Sequence, residues 1–187
     1  MLEHLTVERE TSQTLKIKLL LAFICVCLCA APAFAQDGAA PKFKDYSVPV
    51  YKARAAALKL TTPQARGYRT RLREGARRPI NFAGRYKLHT WSCGTGCLQT
   101  AFIDAKTGEV FFPAELNGFI LCFFDAETVA HDLEDSLQFE KGSRLIVMSG
   151  YPVSERGKDE PKKGLYYYEW TGRELKLLKF VEKSEGC

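Results

Sequence analysis

Cys93 and Cys97 stand four positions apart in Trp91-Ser92-Cys93-Gly94-Thr95-Gly96-Cys97-Leu98-Gln99-Thr100, separated by two glycines and a threonine. Such a pair can serve as a redox dithiol, half of a metal clasp, a catalytic thiol in a turn, or a structural staple. Redox dithiols more typically have two intervening residues at a helix N-terminus, where the dipole lowers a thiol pKa. Here three residues intervene, and the flanking segments are β-prone. Zinc takes four ligands, and no second close Cys or His pair is present; His131 with Asp132 and Asp135 is a thin substitute. No metal site and no cofactor are therefore expected. A Cys–His nucleophile would need His89 or His131 to reach a free thiol. Gly94 and Gly96 can take positive φ without penalty, as three-residue hairpin loops require. Residues closing such a loop lie about 4.5–5.5 Å apart between Cα atoms, within disulfide range. The staple is the favoured reading. Cys93, Cys97 and Cys122 are the disulfide candidates, with Cys122 a competing partner for either member of the turn. No catalytic residue is assigned.

A second group of residues offers electrostatics rather than covalent chemistry. Arg66, Arg69, Arg73 and Arg77 recur at spacings of three and four, one position round from Ala65, Tyr68, Leu72 and Ala76. On a helix this sets an arginine stripe beside an apolar one. The arginines form a possible anion-binding stripe for phosphates, lipopolysaccharide or acidic glycans, because guanidinium forks pair bidentately with such groups. Trp91 and the run Tyr166 to Trp170 could make an aromatic platform. Strand alternation divides that run, sending Tyr166, Tyr168 and Trp170 one way and Tyr167 the other, and the larger set is expected in the core. The acidic residues from Asp125 to Asp135 read as solvated surface. P-loop, GxSxG, HExxH and dinucleotide-binding patterns do not occur.

These residues must be positioned by a modest chain. Its 187 residues carry 27 Lys and Arg against 22 Asp and Glu, a formal charge of +5. That excess permits an anionic partner without requiring one, and nucleic acid is not expected. Lys16 and Lys18 precede an apolar run from Leu19 to Ala30, and Pro32 leads into Ala33-Phe34-Ala35. A basic flank, a short apolar core and an A-x-A end read as a secretory signal peptide over residues 1–35. The run is shorter than the ~20 residues of a spanning helix, so no stable membrane span is expected after cleavage, and the mature chain is placed in the periplasm or secreted. Cys93, Cys97, Cys122 and Cys187 then remain, an even count that favours disulfides in an exported protein.

Residues 36–49 read as a flexible lead-in and 50–187 as a single domain. Tyr51 to Leu60 predicts a weak helix. Thr62 as cap and Pro63 in the first turn predict a firmer one to about Ala76, stopped by Pro79. From Phe82 the period becomes strand-like. Arg85 to Trp91, Gln99 to Ile103, Glu109 to Phe112, Ser143 to Met148, Leu165 to Trp170 and Glu174 to Phe180 are the candidate strands. Two hairpins close at Thr107-Gly108 and Thr171-Gly172. A short acidic helix over Ala126–Asp135 and a charged loop over Ser154–Gly164 complete the reading. The fold class is α+β: a mostly antiparallel β-sheet of six or seven strands, built from hairpins, with an N-terminal helix packed on it.

Asn81-Phe82-Ala83-Gly84, the Trp91-to-Cys97 motif, Thr107-Gly108, Ser143-Arg144-Leu145 and Tyr166 to Trp170 occur in an order that resembles a group of small exported bacterial proteins of uncharacterised function. The resemblance spans roughly Asn81 to Leu178. It implies a bacterial origin and an extracytoplasmic β-rich domain, and it brings no activity with it. A histidine is common in that group where this chain has Arg85, so any role of that histidine is absent here. The functional expectation is a small exported binding or structural domain without catalysis, whose partner is an envelope component or another exported protein. The alternative is an envelope thiol oxidoreductase or a cysteine-dependent hydrolase using Cys93 or Cys97.

Overall fold

The computed structural model describes residues 38–122 and 136–183. The expected signal peptide, the acidic helix over Ala126–Asp135, His131 and Cys187 all lie outside the described residues. Eight strands form one antiparallel sheet: β1 (Tyr86–Gly94), β2 (Cys97–Asp104), β3 (Val110–Phe111), β4 (Asn117–Leu121), β5 (Leu137–Phe139), β6 (Leu145–Tyr151), β7 (Gly164–Trp170) and β8 (Leu175–Glu182). Their order is β1-β2-β4-β6-β7-β8, with β3 paired to β2 and β5 paired to β6. The sheet is open. Eight strands among the described residues exceed the six or seven expected. The two overlooked, β4 and β5, are short. β4 opens on Asn117-Gly118, a dipeptide of turn type, and Gly118 sits at φ 86°.

Alternation decides which side chains go inside. Along β7, Tyr166, Tyr168 and Trp170 are buried while Leu165, Tyr167 and Glu169 are half-buried. Along β1, Tyr86 and Leu88 face the larger core with Phe102, Phe119, Ile146 and Trp170. No described α-helix covers that face; a single 3-10 turn, Ala114–Leu116, adds Leu116 to it, and the sheet otherwise curls and packs against itself. The ring of Tyr86, on an outer strand, meets Trp170 of β7 at 5.5 Å, and Phe102 and Phe111 approach the same indole at 4.9 and 5.6 Å, all edge-on. Such edge-to-face pairs add about 0.5–1.5 kcal/mol each beyond area burial.

The opposite face of β1 and β2 carries a smaller core of Ala65, Leu72, Trp91, Ala101 and Ile103. Here lie α1 (Pro63–Gly67) and α2 (Arg69–Arg77). Thr62 Oγ1 accepts from Ala65 N at 3.0 Å, satisfying one orphan donor of the first turn. The single helix expected from Pro63 to Ala76 is two pieces, because Tyr68 leaves helical geometry at φ −94°, ψ 19°. Leu72 is fully buried, and Gly75 backs directly onto His89: a Cβ there would lie 2.8 Å from the His89 Cβ.

The weak helix expected over Tyr51–Leu60 does not form. This segment is an extended strap whose amides donate to turn carbonyls: Tyr51 N to Gly84 O at 2.7 Å, Ala56 N to Ala105 O at 2.8 Å and Lys59 N to Gly108 O at 2.8 Å. A ten-residue helix is marginal in water even with good helix formers, and fixed long-range acceptors outcompete it. The residues before it, read from composition as a loose lead-in, make ordered contacts from Phe43 onward. Ser47 bridges to Ser143, whose hydroxyl donates to Phe43 O at 2.8 Å. Asn81 uses its side-chain amide as a piece of strand. Its Oδ1 accepts from Leu88 N at 2.7 Å and its Nδ2 donates to Leu88 O at 2.9 Å, on the side of β1 away from β2.

Substituting Leu72→Asp places an unpaired charge in the smaller core and is expected to lower stability by more than about 3 kcal/mol. Thermal and urea unfolding measure it, and an unchanged melting temperature would show that α2 does not dock through this face.

Candidate functional site

The cysteine turn lies at the exposed end of the β1–β2 hairpin. Residues Thr95 and Gly96 make a two-residue turn, and the register slips between Ser92 and Gly94, so Cys93 is an extra, bulged residue. This differs from the three-residue loop expected. The bulge carries Cys93 across the hairpin, and Cys93 and Cys97 are disulfide-bonded with Cα atoms 5.2 Å apart. Gly96 at φ 65° makes the turn possible. Cys122 is not part of this bridge. It is 1% exposed and disulfide-bonded, and Ser149 holds it in place, the hydroxyl donating to Cys122 O at 2.6 Å. None of the three candidates presents a thiol in this state, which removes the nucleophile that a Cys–His arrangement would need.

His89 is 5% exposed and sits beneath Gly75, with its ring 5.7 Å from that of Trp91. Neither ring nitrogen has a hydrogen-bond partner. Burial pushes its pKa below the ordinary 6.5; Arg78 and Arg71 push the same way, and Glu74, whose carboxylate is 4.0 Å from Nε2, opposes them. A neutral, structural imidazole results.

Arg66, Arg69, Arg73 and Arg77 are all exposed. The break at Tyr68 divides them: Arg66 ends α1 with its Nη1 donating to Thr61 O at 2.8 Å, while Arg69, Arg73 and Arg77 recur every fourth residue along α2. Arg71 joins Glu74 at 3.3 Å, and Glu74 is the one acidic residue of α1 and α2. Arg69, Arg73 and Arg77 make no ion pair with a described carboxylate. The result is a short helix in which four of the six exposed residues are arginine. Among the described residues no three of His, Cys, Asp or Glu gather to hold a metal ion, and no helix is long and apolar enough to cross a membrane.

A further basic set has no signature in the sequence. Arg85, Lys106 and Arg144 come from three separate turns and line one cleft of about 460 Å³. Each is one cation among 27 in the chain, and only the pairing of distant turns unites them. Comparison with family models, curated proteins and solved structures finds no match for this chain.

Two outcomes follow from these geometries. A Cys93→Ser/Cys97→Ser variant frees a five-residue loop and is expected to lose about 2 kcal/mol of stability; urea unfolding checks this, and retention of the fold separates a staple from a folding requirement. For His89, the depressed folded pKa means that the unfolded chain binds more protons below the ordinary value of 6.5. The stability tied to the neutral ring is fully present above that pH and is lost as pH falls toward the lowered pKa. His89→Gln should therefore flatten the acid side of the stability profile, and identical profiles would show that the imidazole titrates alike in the folded and unfolded chains.

Proposed function

We propose that the mature protein is a small non-catalytic binding domain of the periplasm or extracellular space, and that its arginine-covered helix pair engages an anionic envelope component. The observation that carries this reading is the exposed, unpaired row Arg69, Arg73 and Arg77, extended by Arg66. Guanidinium groups one helical turn apart create a local positive field that a net charge of +5 understates. Nothing in that row is a nucleophile or a titrating acid or base, so its chemistry is recognition. Sugar phosphates, lipopolysaccharide phosphates and acidic glycans supply the multiple anions that such a row fits.

Export follows from the basic flank, apolar run and Ala33-Phe34-Ala35 end, and disulfides persist in that compartment. Removal of residues 1–35 takes Cys25, Cys27 and Cys29 with it and leaves an even count of four cysteines. The mature protein should then begin at Gln36 and titrate with no reactive thiol. A labile, low-pKa thiol at Cys93 or Cys97 would point instead to thiol chemistry.

The direct test is retention on immobilised lipopolysaccharide, acidic glycan and heparin at two ionic strengths. The wild type should elute later at low salt, because screening and counterion release both weaken polyanion binding as salt rises. Arg69→Gln/Arg73→Gln should elute early at both while keeping wild-type stability within about 0.5 kcal/mol. Co-elution of the two proteins would reduce the row to solvated surface.

A further inference from the structure

Five segments of the chain meet at one cleft, which is separate from the arginine row and independent of the reading given to it. Val48 to Tyr51 of the strap, Ala83 to Tyr86 at the start of β1, Lys106 in the β2–β3 turn, and Arg144 with Trp170 to Gly172 enclose about 460 Å³. That volume falls in the usual range for small-molecule sites, about 300–1,000 Å³. Among the described lining residues three are cations, and none is a carboxylate, imidazole or thiol. Val48, Pro49, Val50 and Trp170 supply apolar wall beside them.

The cations are held from behind. Arg85 Nη2 lies 3.1 Å from Asp104 Oδ2, whose residue is 1% exposed, and also donates to Tyr86 Oη at 3.0 Å. Arg144 Nη1 lies 2.8 Å from Glu169 Oε1. The Lys106 backbone amide donates to Asp104 Oδ1 at 2.8 Å, while its ammonium has no ion pair with a described carboxylate. Two carboxylates outside the lining thus aim two guanidinium forks and neutralise much of their charge; Glu109 adds a weaker attraction on Arg85. One ammonium is left uncompensated, with spare guanidinium donors on either side. This is the charge balance of a monoanion site, in contrast to a polyanion surface.

The backbone is already fixed around it. Tyr51 N donates to Gly84 O at 2.7 Å, Gly84 N to Lys141 O at 2.7 Å, Ala105 N to Arg85 O at 2.9 Å, Arg144 N to Tyr46 O at 3.0 Å and Trp170 N to Arg144 O at 2.9 Å. Ala83, on the wall, has φ 43° and is the one non-glycine residue at positive φ among those described. Strain of that kind persists where surrounding contacts over-determine it, and it concentrates at binding sites. A preformed cleft avoids the ordering cost of closing on a ligand.

We propose that this cleft binds the carboxylate of a molecule with an apolar body. The carboxylate is bridged between Lys106 Nζ and the free donors of Arg85 and Arg144, and the body lies along Val48–Val50, with the buried Trp170 beneath. A free organic acid and the C-terminus of a peptide share this chemistry.

The experiment titrates the mature protein with 4-phenylbutyrate, with its neutral amide, and with a Phe-terminated hexapeptide carrying a free or an amidated C-terminus, followed by amide and indole chemical shifts. Saturable shifts of Arg85, Lys106, Arg144 and the Trp170 indole with the free-carboxylate forms alone are expected. Whichever of acid and peptide binds more tightly identifies the source. Lys106→Gln removes an exposed ammonium that contacts no described carboxylate, and Arg144→Gln removes a fork; each should weaken binding about tenfold or more. Arg69→Gln/Arg73→Gln should leave it unchanged, which separates failure here from failure of the arginine row. Absence of saturable shifts, equal shifts with the amides, or unaltered affinity in both cleft variants would overturn the proposal.

Discussion

Among the described residues no α-helical layer covers the larger apolar face of the sheet, and Trp170 is where the sheet covers itself. The indole is fully buried at the end of β7 and is approached edge-on by rings from β1, β2 and β3. β1 and β7 are separated by three intervening strands in the sheet, so these contacts exist only because the sheet curls through that whole distance. Right-handed strand twist makes curling natural, and the aromatic cluster sets how far it goes. The short strands β3 and β5 are consistent with this: each pairs with only one neighbour, on the flank of a longer strand, where a strongly curved sheet leaves gaps.

The same curvature brings the turns together. Ala83 to Arg85 lies at the β1 end of the sheet and Lys141 to Arg144 at the start of β6, with two strands between; here the strap hydrogen-bonds to both, Val48 N to Gly142 O at 2.8 Å and Tyr51 N to Gly84 O at 2.7 Å. Gly84 shows how tight this is. At φ 72° it takes a conformation that suits glycine, and a Cβ would stand 2.3 Å from Pro49 O. The strap, the first turn and the β6 approach therefore form one unit, and the basic cleft is its outer surface.

Local rules made part of this legible in the sequence. Alternation separates Tyr166, Tyr168 and Trp170 from Tyr167 because a strand has only two sides. Spacings of three and four mark Ala65 and Leu72, both buried, against the exposed arginines. The glycines between Cys93 and Cys97 allow a turn tight enough for a bridge, although the bulge that delivers Cys93 depends on the register with β2. What was illegible depends on partners distant in the chain. Tyr51 to Leu60 has helix-forming composition and becomes a strap because acceptors some thirty to fifty residues onward claim its amides. β4 and β5 are too short to carry a period, and they exist by pairing with β2 and β6. Arg85, Lys106 and Arg144 share no spacing at all; the β1–β2 pairing brings the first two together, and the curl brings Arg144 to them.

Asn81 has a consequence beyond the hydrogen bonds it makes. An outer strand normally shows a neighbouring molecule a row of unused amides and carbonyls, which is an invitation to add a strand. The Asn81 carboxamide occupies both groups of Leu88, near the start of β1, in the manner of one residue of a neighbouring strand. A second chain cannot lay down a continuous ladder there without first displacing it. That one amide is a guard against cross-strand aggregation, written into the turn that begins the sheet.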